Sequence, residues 1–207
     1  MTLLIKNGRL IDPKSNRDEI LDVLIEENKI AKIGTNLSEE NTEIIDARGL
    51  VIAPGLIDVH VHFREPGQTH KETIHSGAKS AAAGGFTTVV MMANTKPILS
   101  TPKVLIETLA IAKKEAIKIK AVASITQDFD GENLTDFAEL IKAGAIGFSD
   151  DGIPLTDAGV LRKALQKAKL TDSLLSIHEE DPNLIGTLGV NDGEVAHKCG
   201  FTGAPTL

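Results

Sequence analysis

The chain has 207 residues, a formal net charge of -7, and is 42% apolar, 25% charged and 3% aromatic. That length can bury a sizeable core in one or two domains, and the composition is that of an ordinary globular protein rather than a disordered or fibrous one. The acidic balance, with six Phe and no Trp or Tyr, argues against nucleic acid or an anionic membrane as a partner, because those need a basic surface and stacking aromatics.

The first fifty residues read as short strands. Aliphatic and β-branched residues recur at 3–5, 23–26, 30–33 and 43–45, separated by Asn7-Gly8, Asp12-Pro13, Asn28-Lys29 and Gly34, all turn formers. This predicts a small antiparallel, sandwich-like β unit over residues 1–53, without clustered chemistry. Over residues 54–207 strands and helices alternate. Apolar runs end near His62, Asn94, Thr126, Asp150 and His178, about one every 30 residues, the period of a βα unit. Ser100-Thr101-Pro102 predicts a capped helix start with proline in the first position. A helix carrying Phe137, Leu140 and Ile141 should stop at Gly144, and Val160, Leu161, Ala164, Leu165 and Ala168 share one face of another. A helical stretch is also expected after Arg64, with His70 and His75 on its surface. Residues 200–207 read as loop. The predicted class is α/β: a TIM-type (β/α)8 barrel, of which about five βα units are present where closure needs eight and about 250 residues.

The single cysteine, Cys199, cannot form an intramolecular disulfide, which suits a reducing compartment and a packing role. Only four apolar residues precede Lys6, too few for a signal peptide, and no run approaches the ~18 apolar residues of a membrane span. The expected location is cytoplasmic.

The strongest chemical signal is Asp58-Val59-His60-Val61-His62-Phe63-Arg64. Strand alternation puts His60 and His62 on one face, at the strand end where barrel active sites are built. Two imidazoles there can chelate a divalent metal or simply line a barrel mouth. Asp150-Asp151 ends the fourth predicted strand and His178 the fifth. A carboxylate can bridge two metals about 3.5–4 Å apart and such a pair activates water. Asp150-Asp151-Gly152 also reads as a turn, and Glu179-Glu180-Asp181 as a solvated helix start. Arg64, two residues after His62, has the planar fork that suits a carboxylate, and Asn94 could offer an amide donor. His197 is expected to be structural or exposed.

The segments His60-Val61-His62-Phe63-Arg64-Glu65-Pro66-Gly67, Gly84-Gly85-Phe86-Thr87-Thr88 and Asn94-Thr95-Lys96-Pro97 resemble the class I dihydroorotases of the amidohydrolase superfamily. The resemblance implies reversible hydrolysis of (S)-dihydroorotate to N-carbamoyl-L-aspartate in pyrimidine synthesis, with one or two Zn2+ ions. It implies metal ligation by His60, His62, Asp151 and His178, Asp151 being chosen over Asp150 by the family spacing of 27 residues to the histidine. It implies substrate binding by His62, Arg64 and Asn94, water activation at the metal, and a carboxylate that passes the proton to the leaving nitrogen. That general acid/base aspartate, and one further metal histidine, are expected beyond Leu207. The family usually has Pro where this chain has Ala93. A homo-oligomer is expected, with aspartate transcarbamoylase as a candidate partner. Allantoinases and hydantoinases usually bridge their metals with a carboxylated lysine, and residues 145–151 contain none. A non-catalytic subunit that scaffolds aspartate transcarbamoylase would tolerate loss of metal ligands, whereas all four expected in this span are present.

Overall fold

The computed structural model describes residues 2–185 and 189–205. Within it the chain divides into two compact units, Met1–Gly55 and Leu56–Leu207.

The first unit is a mixed five-stranded sheet. Its strands are β1 (Thr2–Asp12), β2 (Arg17–Glu26), β3 (Lys29–Gly34), β4 (Glu43–Asp46) and β5 (Val51–Ile52). Hairpins join β1 to β2 and β2 to β3 in antiparallel fashion, whereas β4 and β5 run parallel to β1. The expectation of a purely antiparallel unit is therefore corrected. A tight hairpin makes only antiparallel pairs, and a crossover is needed for a parallel one. Residues 35–42 make that crossover, held by Leu37 packed with Leu4 and Leu24. Asn7-Gly8 is not a turn either. β1 runs through it with a register shift between Ile5 and Gly8, Asn7 taking a φ of 62°, as a β-bulge does. Gly8 admits Ile52, whose Cδ1 would lie 2.4 Å from a methyl group there.

The second unit is built on a parallel sheet of β6 (Leu56–Val61), β7 (Phe86–Met91) and β8 (Lys118–Ala121), in that order. Two further strand positions follow as short ladders. Ala123 donates its N–H to Gly147 O at 3.0 Å and Ser149 to Ala123 O at 2.9 Å; Phe148 donates to Leu174 O and Ser176 to Phe148 O, each at 2.9 Å.

Helices α1 (Ile74–Ala83), α2 (Pro102–Ala112), α3 (Phe137–Lys142) and α4 (Ala158–Leu170) follow successive strands. Each begins at a side-chain cap: Thr73, Thr101, Asp136 and Asp157 accept backbone N–H groups of the first turn, satisfying donors that have no partner within the helix. Pro102 occupies the first turn of α2, as its sequence predicts. Three expectations are corrected. The helix after Arg64 begins only at Ile74, so His70 lies in a turn. On α4 only Ala164 and Ala168 are buried, and Leu165 is 53% exposed. Cys199 is exposed rather than packed, at the end of the short α6 (Glu194–Lys198), which follows α5 (Pro182–Ile185) and buries only Ala196. Of the predicted loop 200–207, residues 206 and 207 lie outside the described residues.

The core of the second unit lies between the sheet and its helices, with Phe63, Ile74, Val89, Met91, Leu105, Phe137 and Phe148 among its members. Phe137 and Phe148 stack with ring centroids 3.7 Å apart and planes 10° from parallel. Val90, Met92 and Val122 form a separate buried cluster. They alternate with the core residues, so β7 is buried on both faces, as parallel strands usually are, whereas Leu56, Ile57 and Val59 of β6 are exposed. Among the described residues no helix is long and apolar enough to cross a membrane.

Candidate metal centre

The end of β6 sets the centre. Val61 O accepts Met92 N–H at 2.9 Å, and Asp58 Oδ1 accepts His60 N–H at 3.0 Å. Phe63, 4% exposed, packs against α1 at Gly77, where even a methyl group would come within 2.2 Å of its ring. With Phe63 and Val61 committed to the core, alternation leaves His60 and His62 together on the opposite face, their rings 5.1 Å apart.

Asp151 meets them from the fourth strand position. Its Oδ2 lies 3.3 Å from His60 Nε2 and 3.4 Å from His62 Nε2, and its Oδ1 lies 3.3 Å from His178 Nδ1. The Asp151 side chain is 13% exposed. Donor atoms of His60, His62 and Asp151 all lie within 4.8 Å of one another. The structure thus gathers all four residues that the sequence singles out.

The second nitrogens of two of these histidines reveal their orientation. His62 Nδ1 lies 3.0 Å from Asn94 Oδ1. An amide oxygen only accepts, so Nδ1 carries the proton and Nε2 presents its lone pair to Asp151. His178 Nε2 lies 2.8 Å from Glu180 Oε2, so Nε2 donates there and Nδ1 is the nitrogen turned to Asp151. The Glu180 hydrogen bond also raises the His178 pKa above its ordinary value, with Asp151 adding to the effect and burial opposing it. A bare ring nitrogen facing a carboxylate at 3.3–3.4 Å repels it unless a cation lies between them. That cation is a proton or a metal ion, and imidazole nitrogens with a carboxylate oxygen are a donor set that suits a divalent ion. Glu180 was missed in the sequence, where it reads as part of an acidic helix start; its position two residues after His178 was the available signal.

The other residues separate cleanly. Asp150 is 4% exposed and points away from the histidines, accepting hydrogen bonds from Ile125 and Thr126. Burial raises its pKa, while the Thr126 and Ile125 hydrogen bonds oppose that rise. Asp150-Asp151-Gly152 is also a turn, closed by Ile153 N–H on Asp150 O at 2.9 Å, so the turn and ligand readings of the pair both hold. Arg64 is half-buried. His75 is exposed and pairs with Glu115 at 3.0 Å, and His197 pairs with Asp192 at 2.8 Å, both remote in role from the four-residue cluster.

The chain is 89% identical over all 207 residues to the dihydroorotase of Lactococcus lactis subsp. lactis (strain IL1403), covering 49% of that protein. It is 59% identical over 204 residues to the dihydroorotase of Streptococcus thermophilus (strain CNRZ 1066), covering 97% of this chain and 48% of that one. The chain spans about half the length of the curated relatives it matches. Among solved structures, an L-hydantoinase (dihydropyrimidinase) from Arthrobacter aurescens aligns with a TM-score of 0.75 at 24% identity, over 88% of this chain and 41% of that one. A dihydroorotase aligns with a TM-score of 0.62 at 15% identity, over 89% and 52%. At these identities the likeness establishes a shared fold alone. The family described as Dihydro-orotase-like matches residues 49–207, most of the sequence, and the chain belongs to that family.

Proposed function

We propose that this chain supplies the metal-binding part of a zinc-dependent cyclic amidohydrolase that reversibly opens (S)-dihydroorotate to N-carbamoyl-L-aspartate. The observation that carries the reading is the convergence of three imidazoles on the Asp151 carboxylate, two of them oriented by Asn94 and Glu180. The donor chemistry fits a divalent ion: donor atoms of His60, His62 and Asp151 lie within 4.8 Å of one another, His178 meets the other oxygen of the same carboxylate, and these four residues would hold zinc. The 89% identity to a protein named dihydroorotase supports the substrate, and the bridging position occupied by Asp151 rather than lysine favours it over a hydantoin or allantoin.

When bound, a divalent ion supplies Lewis acidity and a water that is nucleophilic near neutral pH. The chain's own residues do the rest. Arg64 and the Asn94 Nδ2 amide, neither of which has a side-chain hydrogen-bond or ion-pair partner among the described residues, bind the substrate carboxylate, with His62 lining the same side. Arg64 offers a bidentate fork and a full positive charge, and fixes the ring by its acid group. The β unit of residues 1–53 precedes a barrel begun by residues 54–207. Later residues complete that barrel and supply the remaining metal histidine and the aspartate that moves the proton. We place the protein in the cytoplasm as a homo-oligomer, with aspartate transcarbamoylase as its candidate partner.

The test is turnover by the intact protein, purified with its metal, on dihydroorotate, hydantoin and allantoin in parallel. Dihydroorotate should be the preferred ring, and chelation should abolish the activity until zinc is returned. Preference for another ring would reassign the substrate, and activity indifferent to metal removal would remove the zinc reading.

A further inference from the structure

Asp150 is a buried carboxyl, yet the metal centre does not use it. Its carboxylate is saturated by groups from the strand position beside it. Oδ1 accepts Ile125 N–H at 2.6 Å and Thr126 N–H at 3.2 Å. Oδ2 accepts Thr126 N–H at 3.1 Å and Thr126 Oγ1–H at 2.5 Å. Thr126 Oγ1 in turn accepts Gly131 N–H at 3.1 Å, and Gln127 N–H reaches Asn133 O at 2.7 Å. The carboxylate therefore links the chain that follows β8, and the loop of residues 126–134, to the strand end that carries Asp151. The next backbone link is fixed as well, since Asp151 N–H donates to Ser149 Oγ at 3.1 Å.

A buried carboxylate held by three donors, the Ile125 N–H, a Thr126 N–H shared between both oxygens and the Thr126 hydroxyl, is among the stiffer polar anchors a chain can make. Peptide planarity then leaves few torsions between this anchor and the Asp151 side chain. We propose that Asp150 is a positioning residue: its clamp on Ile125 and Thr126 sets the backbone from which Asp151 reaches His60, His62 and His178. The inference rests on the reading of those four residues as a zinc site. It accounts for two adjacent aspartates with opposite surroundings, one saturated by N–H and O–H donors and one facing imidazole nitrogens.

The experiment measures zinc affinity of the intact protein by competition with a chromophoric chelator, and records the visible absorption of the cobalt-substituted protein. Asp150→Asn keeps the shape but replaces one acceptor oxygen by an amide donor that opposes Thr126. Thr126→Val removes only the hydroxyl, and Thr126→Ser restores it. Loss of a group that orients a metal ligand typically weakens metal binding 10- to 100-fold. Asp150→Asn should therefore weaken zinc binding by at least about tenfold and alter the cobalt spectrum. Thr126→Val should move both in the same direction with circular dichroism unchanged, and Thr126→Ser should behave as wild type. Should Asp150→Asn fail to fold, Thr126→Val decides alone. Wild-type zinc affinity and cobalt spectrum in folded Asp150→Asn, or in Thr126→Val, would overturn the positioning role while leaving the metal site intact. Wild-type protein that takes up neither zinc nor cobalt would overturn the site and the positioning role together.

Discussion

Among the described residues each unit buries one aspartate, and the two are held in the same way. In the first unit Asp22, 3% exposed, accepts Asn7 N–H at 2.8 Å and Leu37 N–H at 2.9 Å, with Lys6 Nζ 3.8 Å away. In the second, Asp150 accepts the N–H groups of Ile125 and Thr126. Both tie a bulge or loop to a neighbouring strand where the ladder cannot satisfy the backbone. What differs is the residue that follows. After Asp22 comes Val23, which joins Leu10 and Leu21 in an apolar cluster, so that anchor ends in packing. After Asp150 comes Asp151, whose carboxylate faces three imidazoles. The same physical device thus serves stability in one unit and a reactive arrangement in the other.

The sharpest way to break this comparison is to remove the residue that distinguishes the units. Asp151→Ala should strip the metal and lower turnover by about a thousandfold or more, since Lewis-acid stabilisation is worth several kcal/mol and each 1.36 kcal/mol is a factor of ten. Zinc analysis and steady-state kinetics on the intact protein check both. Retained zinc and rate would mean that the convergence on Asp151 is incidental. A second substitution tests a different layer of the same unit. Arg64→Met should leave zinc content unchanged and raise KM for dihydroorotate about 10- to 100-fold, the loss expected for one hydrogen-bonded charge. An unaltered KM would remove Arg64 from substrate binding.

The first unit should respond in stability instead of chemistry. Asp22→Ala leaves the N–H groups of Asn7 and Leu37 without partners and should cost about 1–3 kcal/mol, measured by denaturant unfolding. Zinc content should not change. A metal loss in this variant would show that the two buried aspartates are not separable in role.

How much of this was legible in the sequence depended on how local the cause was. The helix start at Thr101 and the helix end at Gly144 were readable because a cap and its helix lie within a few residues. His60 and His62 were readable because period-two alternation alone puts them on one face. The parallel pairing of β4 with β1 was not readable, because it depends on Leu37 crossing to Leu4 and Leu24, more than ten residues away. Asn7-Gly8 carried a true signal for positive φ, but tertiary pairing on both sides turned it into a bulge. The choice between Asp150 and Asp151 was closed to local reasoning. Both sit at a strand end; the family spacing to His178 chose Asp151, and the positions of Thr126 and the three imidazoles give the physical difference. Glu180 was harder to read, since its position two residues after His178 was the one signal within an acidic run that also reads as a solvated helix start.

The smallest effect should come from a pair that looks stronger on paper than Asp22 does. Arg9 and Asp18 face each other across β1 and β2, with Arg9 Nε and Nη2 on the two carboxylate oxygens at 2.7 and 2.6 Å. The geometry is bidentate, and the Arg9 hydrogen bond holds the Asp18 carboxyl below its ordinary pKa. Yet the two side chains are 56% and 53% exposed, so water and salt screen the attraction and both chains lose rotamer freedom to make it. Asp18's lowered value means that whatever the pair contributes is present above pH about 3.9 and fades as pH falls through the folded value. Arg9→Ala should shift the melting temperature far less than Asp22→Ala at neutral pH. The residual difference from wild type should vanish in about 1 M salt, where the screening length is about 3 Å. A loss equal to that of Asp22→Ala would mean that hydrogen-bond geometry, and not burial, governs the first unit.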